Sequence, residues 1–241
     1  MGTGTRSPVR RDAVEPLAGL ELFSSLTPSE RSDLSSSFMR RNYRRDEVLF
    51  FEGEPPEWLY VLTDGHVKLI KHSDDGRDII LHVAMPGDVI GGVAAFGRRS
   101  HPFTAQPMVP TTALRVAGPD FSRIMKRHPE VANRMMGDFI ERLVEAHETM
   151  KSLATERVER RIARQLVKLA SRAGREVPAG IEITVPLSRQ DVADIAGTTV
   201  ETAIRVLSRW RRSGMVLTID GRLVVADYPA LEETAEAGLG R

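Results

Sequence analysis

The apolar residues of this 241-residue chain follow two different periods, and the switch between them near residue 118 constrains the fold more than any other feature. From about residue 39 to 117 the apolar runs are short: EVLFFEG, WLYVLTDG, HVKLIKHS, DIILHVAM, DVIGG and TALRVA. Turn signals separate them at Asp64-Gly65, Asp75-Gly76 and Pro86-Gly87-Asp88. Short strands punctuated in this way predict an antiparallel sandwich or jelly roll, with a hairpin at Asp75-Gly76. Beyond residue 119 the period becomes helical. Ala132, Met136, Phe139, Leu143, Ala146, Met150 and Leu153 are spaced alternately four and three apart. A helix packed on its own domain also needs an apolar stripe, but this one has the narrow spacing of a coiled-coil seam, and it predicts pairing with a second copy of the chain.

Two short helical patterns, PLAGLELFSSL and TPSERSDLSSSFM, precede the strands. Thr27, Pro28 and Glu30 supply an N-cap, a first-turn proline and a third-position glutamate. Residues 1–15 are polar and basic, lack the apolar core of a signal peptide, and are expected to form a disordered lead. No apolar run reaches the length of a membrane span, so no membrane partner is expected. Cysteine is absent. That fits a cytoplasmic protein and excludes disulfides and a cysteine-ligated iron–sulfur cluster.

The formal net charge of +1 hides an asymmetry. Residues 157–227 hold 13 Lys and Arg against 8 Asp and Glu, a net of +5, while the segments before and after them each carry −2. A basic segment of this kind points to a polyanion, although a solvated basic face has the same composition. It begins with a basic amphipathic helix, RVERRIARQLVKLASRAG, whose Val158, Ile162, Leu166 and Leu169 share a face. IEITVP reads as a short strand, and LSRQDVADIAG as a helix capped by Ser188 with Asp191 at its third position. Gly197 separates that helix from another, the arrangement of a helix-turn-helix. MVLTIDGRLVVAD reads as a hairpin turning at Asp220-Gly221. The predicted fold is α+β: a jelly roll with N-terminal helices over 16–118, a dimerisation helix over 119–156, a winged helix-turn-helix over 157–227, and a tail over 228–241.

Within that last domain, GTTVETAIRVLSRW places Ala203, Val206, Leu207 and Trp210 on one side of a helix and Glu201, Arg205, Ser208, Arg209 and Arg212 on the other. An exposed Glu–Arg pair four residues apart adds little stability. Arginine, however, can donate two hydrogen bonds to guanine O6 and N7, and glutamate can accept from cytosine N4. The N-terminal part of the second helix of a helix-turn-helix meets base edges, so Glu201 and Arg205 are candidate base readers. Thr199 and its neighbouring backbone N–H groups suit a phosphate. Thr198-Thr199-Val200-Glu201 also fits a capping box, in which Glu201 would serve its own helix.

PLSRQDVADIAGTTVETAIRVLSRWRRSGMVLTIDGRLVV resembles the DNA-binding domain of the CRP/FNR family of bacterial transcription regulators, and LYVLTDGHVKLIKHSDDGRDIILHVAMPGDVIGGVAAFG resembles that family's cyclic-nucleotide-binding-type β-roll. The resemblance covers residues 18 to 227. It implies a homodimer that binds near-palindromic double-stranded DNA, with RNA polymerase as a further partner. Glu201 and Arg205 match the family's base-reading pair, which reads a G·C pair and a neighbouring guanine in each half-site. Val200 stands where the cyclic-AMP receptor has an arginine, and Ile204 where FNR proteins have a serine, so the outer bases of the half-site stay open. Ser188, Arg189 and Gln190 match phosphate-contacting positions, while Ser208 and Arg209 continue the exposed face.

The resemblance also places an effector pocket between the β-roll and the long helix, at Val89, Ile90, Gly91, Gly92, His101, Pro102, Phe139, Leu143, Ala146 and His147. This pocket departs from a cyclic-AMP site. Gly92 follows the Gly-Asp-x-x-Gly segment where binders have a ribose-holding glutamate. His101-Pro102 stands near the phosphate-holding Arg-Ser pair, and Ala146-His147 replaces the Thr-Ser that meets adenine. A cyclic phosphate without its arginine loses a charge-assisted contact, so cyclic AMP is not the expected effector. Haem, held by one of six histidines, another small molecule, or no effector at all remain open. No paired-histidine or carboxylate motif marks a metal site or an enzyme on the β-roll.

Overall fold

The computed structural model describes residues 17–73, 78–97 and 99–237. The predicted lead and the Asp75-Gly76 turn lie outside them. PLAGLELFSSL yields a 3-10 turn, Glu21–Phe23, and TPSERSDL yields α1, Pro28–Ser35. Thr27 and Glu30 cap α1 reciprocally.

Seven strands follow: β1 Met39–Tyr43, β2 Trp58–Asp64, β3 Val67–His72, β4 Asp78–Ala84, β5 Val89–Ile90, β6 Thr104–Pro107 and β7 Thr111–Ala117. They form two antiparallel sheets, ordered β1-β7-β2-β5 and β4-β3-β6. Strand periodicity explains why β2 is apolar from Trp58 to Leu62. Tyr60 and Leu62 face the sandwich interior with Val67 and Leu69, whereas Leu59 and Val61 face the N-terminal turn and the helices with Phe23, Phe121 and Met135. The first sheet is therefore covered on both sides. Gly65 turns β2 into β3 at φ +83°, and a Cβ there would lie 2.4 Å from the Thr111 hydroxyl, so the turn requires glycine.

Residues 92–97 form a short helix, α2. The expected single helix over 119–156 is two: α3, Gly118–Arg127, and α4, Pro129–Thr155. His128 leaves the helical region at φ −128°, ψ 79°, because a proline restricts the residue before it and brings no N–H of its own. The expected apolar stripe of the long helix loses one member. Val131 and Met135 are buried and Phe139 is half-buried against the β-roll, so Phe139 is not a seam residue. Met136, Leu143 and Met150 of the expected seam are each more than half exposed and Leu153 nearly so, and Ile140 and Val144 join them. The adjacent apolar pairs Phe139-Ile140 and Leu143-Val144 fit the four-three spacing in two phases, and only packing chooses between them.

The C-terminal domain comprises α5 Val158–Ala173, β8 Gly174–Val177, β9 Gly180–Ile183, α6 Arg189–Ala196, α7 Val200–Ser213, β10 Val216–Ile219, β11 Arg222–Val225 and α8 Tyr228–Glu236. Its sheet runs β10-β11-β9-β8. The wing turns at Asp220 and Gly221, φ 49° and 78°, the paired left-handed residues of a tight hairpin. Strand β8 was not expected. Nor was α8, which corrects the tail assignment: Asp227 caps it, and Leu231 and Ala235 bury in the same cluster as α5. Ile70, Ile80, Val83 and Met85 of the β-roll join that cluster too, so the two domains share one buried core.

Candidate nucleic-acid interface and effector cleft

The helix-turn-helix is built on two caps and a glycine. The Ser188 hydroxyl accepts from the Asp191 N–H, and the Asp191 carboxylate accepts from the Ser188 N–H and hydroxyl, so α6 starts where its sequence predicts. Gly197 ends α6 in the left-handed region at φ 60°. The N-cap of α7 is Thr199, whose hydroxyl accepts from the Thr202 N–H at 3.4 Å. The capping box expected on Thr198 and Glu201 does not form, because the helix starts one residue later and makes Glu201 its second residue. The Glu201 carboxylate is held below its ordinary pKa by its own backbone N–H and by the Thr199 hydroxyl, and it stays an ionised acceptor.

Nor do Glu201 and Arg205 bond each other among the described residues; Arg205 donates to the Thr202 hydroxyl at 3.3 Å. Ala203, Val206, Leu207 and Trp210 bury the other side of α7, with Trp210 donating to Glu159 of α5 at 3.0 Å. Glu159 also holds Arg209 at 2.9 Å, Ser208 is half-buried, and Val200 packs against the domain core. Arg189 donates to Thr218 of the wing at 2.9 Å, and Gln190 to Asp194 at 2.7 Å. Partial burial, and second to it the nearby Arg211 guanidinium, lower the pKa of Arg189. The basic excess is only partly available to a polyanion. Arg160, Arg161, Arg164, Arg172, Arg175 and Arg222 are all engaged inside the protein.

The cleft between the β-roll and α4 is lined by Leu69, Val89, Ile90, Gly91, Gly92, His101, Pro102, Phe103, Phe139 and Arg142. Leu143, Ala146 and His147 are exposed outside this lining, which corrects their expected place in the pocket. Leu69, Phe103 and Arg142 were not anticipated. Val131, Met135 and Phe139 together set the buried face of α4; at about 100° per residue Arg142 falls within about 20° of its middle and Leu143 about 80° away, on the exposed side. Arg142 donates to the Val89 carbonyl at 2.9 Å. His101 is 3% exposed and stacks on Phe50 with ring centroids 3.7 Å apart. Burial lowers its pKa, and its Nδ1 has no hydrogen-bond partner.

A cyclic nucleotide does not fit these residues. The free volume of ≈ 20 Å³ suffices for about one water molecule. A Cβ on Gly92 would lie 2.8 Å from Met135 Cε and 3.1 Å from Phe139 Cζ, so α4 side chains pack closely on this position as folded.

Beside the cleft, Asp88 joins three elements. It accepts from the Met85 N–H at 2.9 Å, lies 3.3 Å from His82 Nε2 of β4, 3.5 Å from Arg142 of α4 and 3.2 Å from Arg172 of α5. Burial alone would raise the Asp88 carboxyl, but the His82 hydrogen bond and the Arg142 charge hold it well below the carboxylate range. Burial lowers His82, so the pair is a neutral imidazole donating to a carboxylate neutralised by arginines. A second link, Lys68 to Asp191 at 2.9 Å, ties β3 to the cap of α6.

Two family models match the chain: a cyclic nucleotide-binding domain over residues 40–128 and a Crp-like helix-turn-helix domain over residues 160–234. The chain is 31% identical over 205 residues to the transcriptional regulator LdrP of Thermus thermophilus, covering 83% of this chain and 98% of that one. It is 29% identical to the transcriptional activatory protein AadR of Rhodopseudomonas palustris, over 91% of this chain and 90% of that one. The solved structure of FixK2 from Bradyrhizobium japonicum superposes with a TM-score of 0.73 at 26% identity, over 82% of this chain and 96% of that one. With its β-roll, long helix and winged helix-turn-helix in that order, this chain belongs to the CRP/FNR family of DNA-binding transcription regulators.

Proposed function

We propose that two copies of this chain pair along α4 and set two α7 helices into successive major grooves of a near-palindromic duplex, about 34–36 Å apart. The observation that carries this reading is the exposed Glu201 and Arg205 on α7, an acceptor and a donor fork that, among the described residues, have no bond to each other and no partner outside their own helix end. The apolar stripe of Met136, Ile140, Leu143, Val144 and Met150 supports the pairing, since apolar side chains exposed in a row on a helix gain by meeting another such row. Bound to DNA in the cytoplasm, the dimer acts on RNA polymerase.

The signal is a small molecule other than cyclic AMP, received where the β-roll meets α4. Phe139 and Arg142 fill the cleft as folded, so a ligand enters only as α4 shifts. Through Asp88 and Arg172 that shift bears on α5 and hence on the DNA-binding domain. His101 is the one histidine of the lining, and its stacking on Phe50 supports a packing role over haem ligation. Selection of the full-length protein against a pool of random duplexes, with sedimentation of the complex, tests the reading. Enrichment of a two-fold symmetric site bound by two chains is expected; a monomer that binds all duplexes alike would overturn it.

A further inference from the structure

Along the face of α7 that Glu201, Arg205 and Ser208 share, one side chain is out of character. Ile204 follows Glu201 by three residues and precedes Arg205 by one, and it is 45% exposed. Among the described residues it is the one large apolar side chain exposed on α7; Ala203, Val206, Leu207 and Trp210 are all buried. Val200, the other apolar residue at this end, is half-buried against its own domain. An exposed β-branched residue gains nothing from the isolated domain: its helix propensity is poor, and its methyl groups stay in water. The exposed apolar residues of α4 are several on one helix, but Ile204 is the one large exposed apolar side chain of α7 among the described residues, beside exposed Glu201 and Arg205, so it fits an isolated apolar target. In a major groove that target is the 5-methyl group of thymine.

We propose that Ile204 sets the outer base preference of this chain by packing on a thymine methyl group beside the base pairs that Glu201 and Arg205 read. The inference rests on the DNA-reading role given to α7 above. Ile204 lies about 60° around the helix from Glu201 and about 100° from Arg205, so its target is a different base pair from the guanine under Arg205. Its side chain neither donates nor accepts a hydrogen bond, so it leaves the polar edges of the other bases unpaired there and prefers thymine over them. Val200, turned toward the core, contributes little to the choice.

The test uses the full-length protein and the duplex it enriches from a random pool. Each thymine is replaced in turn by deoxyuridine, which removes the 5-methyl group alone. One thymine per half-site should be sensitive, with affinity falling about fourfold for one half-site and about fifteenfold for both, the loss of burying one methyl-sized group at each. Ile204→Ser should erase that sensitivity while the melting temperature and the Arg205-dependent G·C preference stay unchanged, and Val200→Ala should retain it. An enriched site indifferent to every thymine-to-uracil change, or a sensitivity that survives Ile204→Ser, would overturn the proposal while leaving the reading by Arg205 intact. Failure to enrich any duplex would overturn the DNA-reading role itself and this inference with it.

Discussion

Glu201 and Arg205 stand exposed on α7 with partners, among the described residues, only at their own helix end, whereas Arg142 in the cleft is engaged by the Val89 carbonyl and lies close to the Asp88 carboxylate. The reading helix thus keeps its polar groups ready for an outside partner, and the cleft has turned its own inward. On the proposed reading, α7 is the DNA-facing end with its polar groups exposed, and the cleft is the signal-facing end, lined by Phe139, Arg142 and His101 as folded.

If that contrast is right, the two ends should respond differently to substitution. The largest effect is expected at the anchor of the reading helix. Trp210 is 2% exposed, and Trp210→Ala should cost about 3–5 kcal/mol of stability in chemical denaturation. Asp88→Asn should cost about 2 kcal/mol, less than a fully buried pair because Arg142 and Arg172 are partly exposed. It should also change operator affinity without touching α7, since Asp88 holds α4 and α5 together; a variant with unchanged melting and affinity would remove the proposed link. Arg205→Ala should lower operator affinity by about 1–3 kcal/mol and relax one G·C preference, with no change in melting. Equal losses on operator and random DNA would break the contrast.

The smallest effect is a pH dependence. His66, His82 and His101 all have folded pKa values lowered by burial below the ordinary 6.5. Each is neutral when folded, and the unfolded chain takes up the proton first. Stability is therefore greatest above about pH 6.5 and falls as the pH drops below it toward the lowered folded values. His82→Gln should flatten part of that fall in thermal melts between pH 7.5 and 5.5.

Much of this architecture was legible in the chain. The glycine-punctuated strands, the Ser188 cap with Gly197, and the Asp220-Gly221 wing turn are local signals that the fold obeys. What escaped depended on packing. The Phe139-Ile140 and Leu143-Val144 pairs leave the helix phase ambiguous until the β-roll buries Phe139, and the expectation carried over from the family at Ala146 and His147 gave no sign that Arg142 lines the cleft. Thr198 and Thr199 are both good caps, and backbone geometry chose the second. Helix α8 had a signal that went unread: Asp227 as cap, Pro229 in the first turn, and Leu231 with Ala235 four residues apart. The basic excess of residues 157–227 pointed toward DNA, yet many of those arginines serve the fold, so the exposed groups of α7 are the stronger indication.

The most direct test of the contrast is the affinity of the full-length protein for its selected operator with and without saturating cyclic AMP. A filled cleft predicts the same affinity in both, with the operator preference still dependent on Arg205. A cyclic-AMP-dependent rise in operator affinity would contradict it.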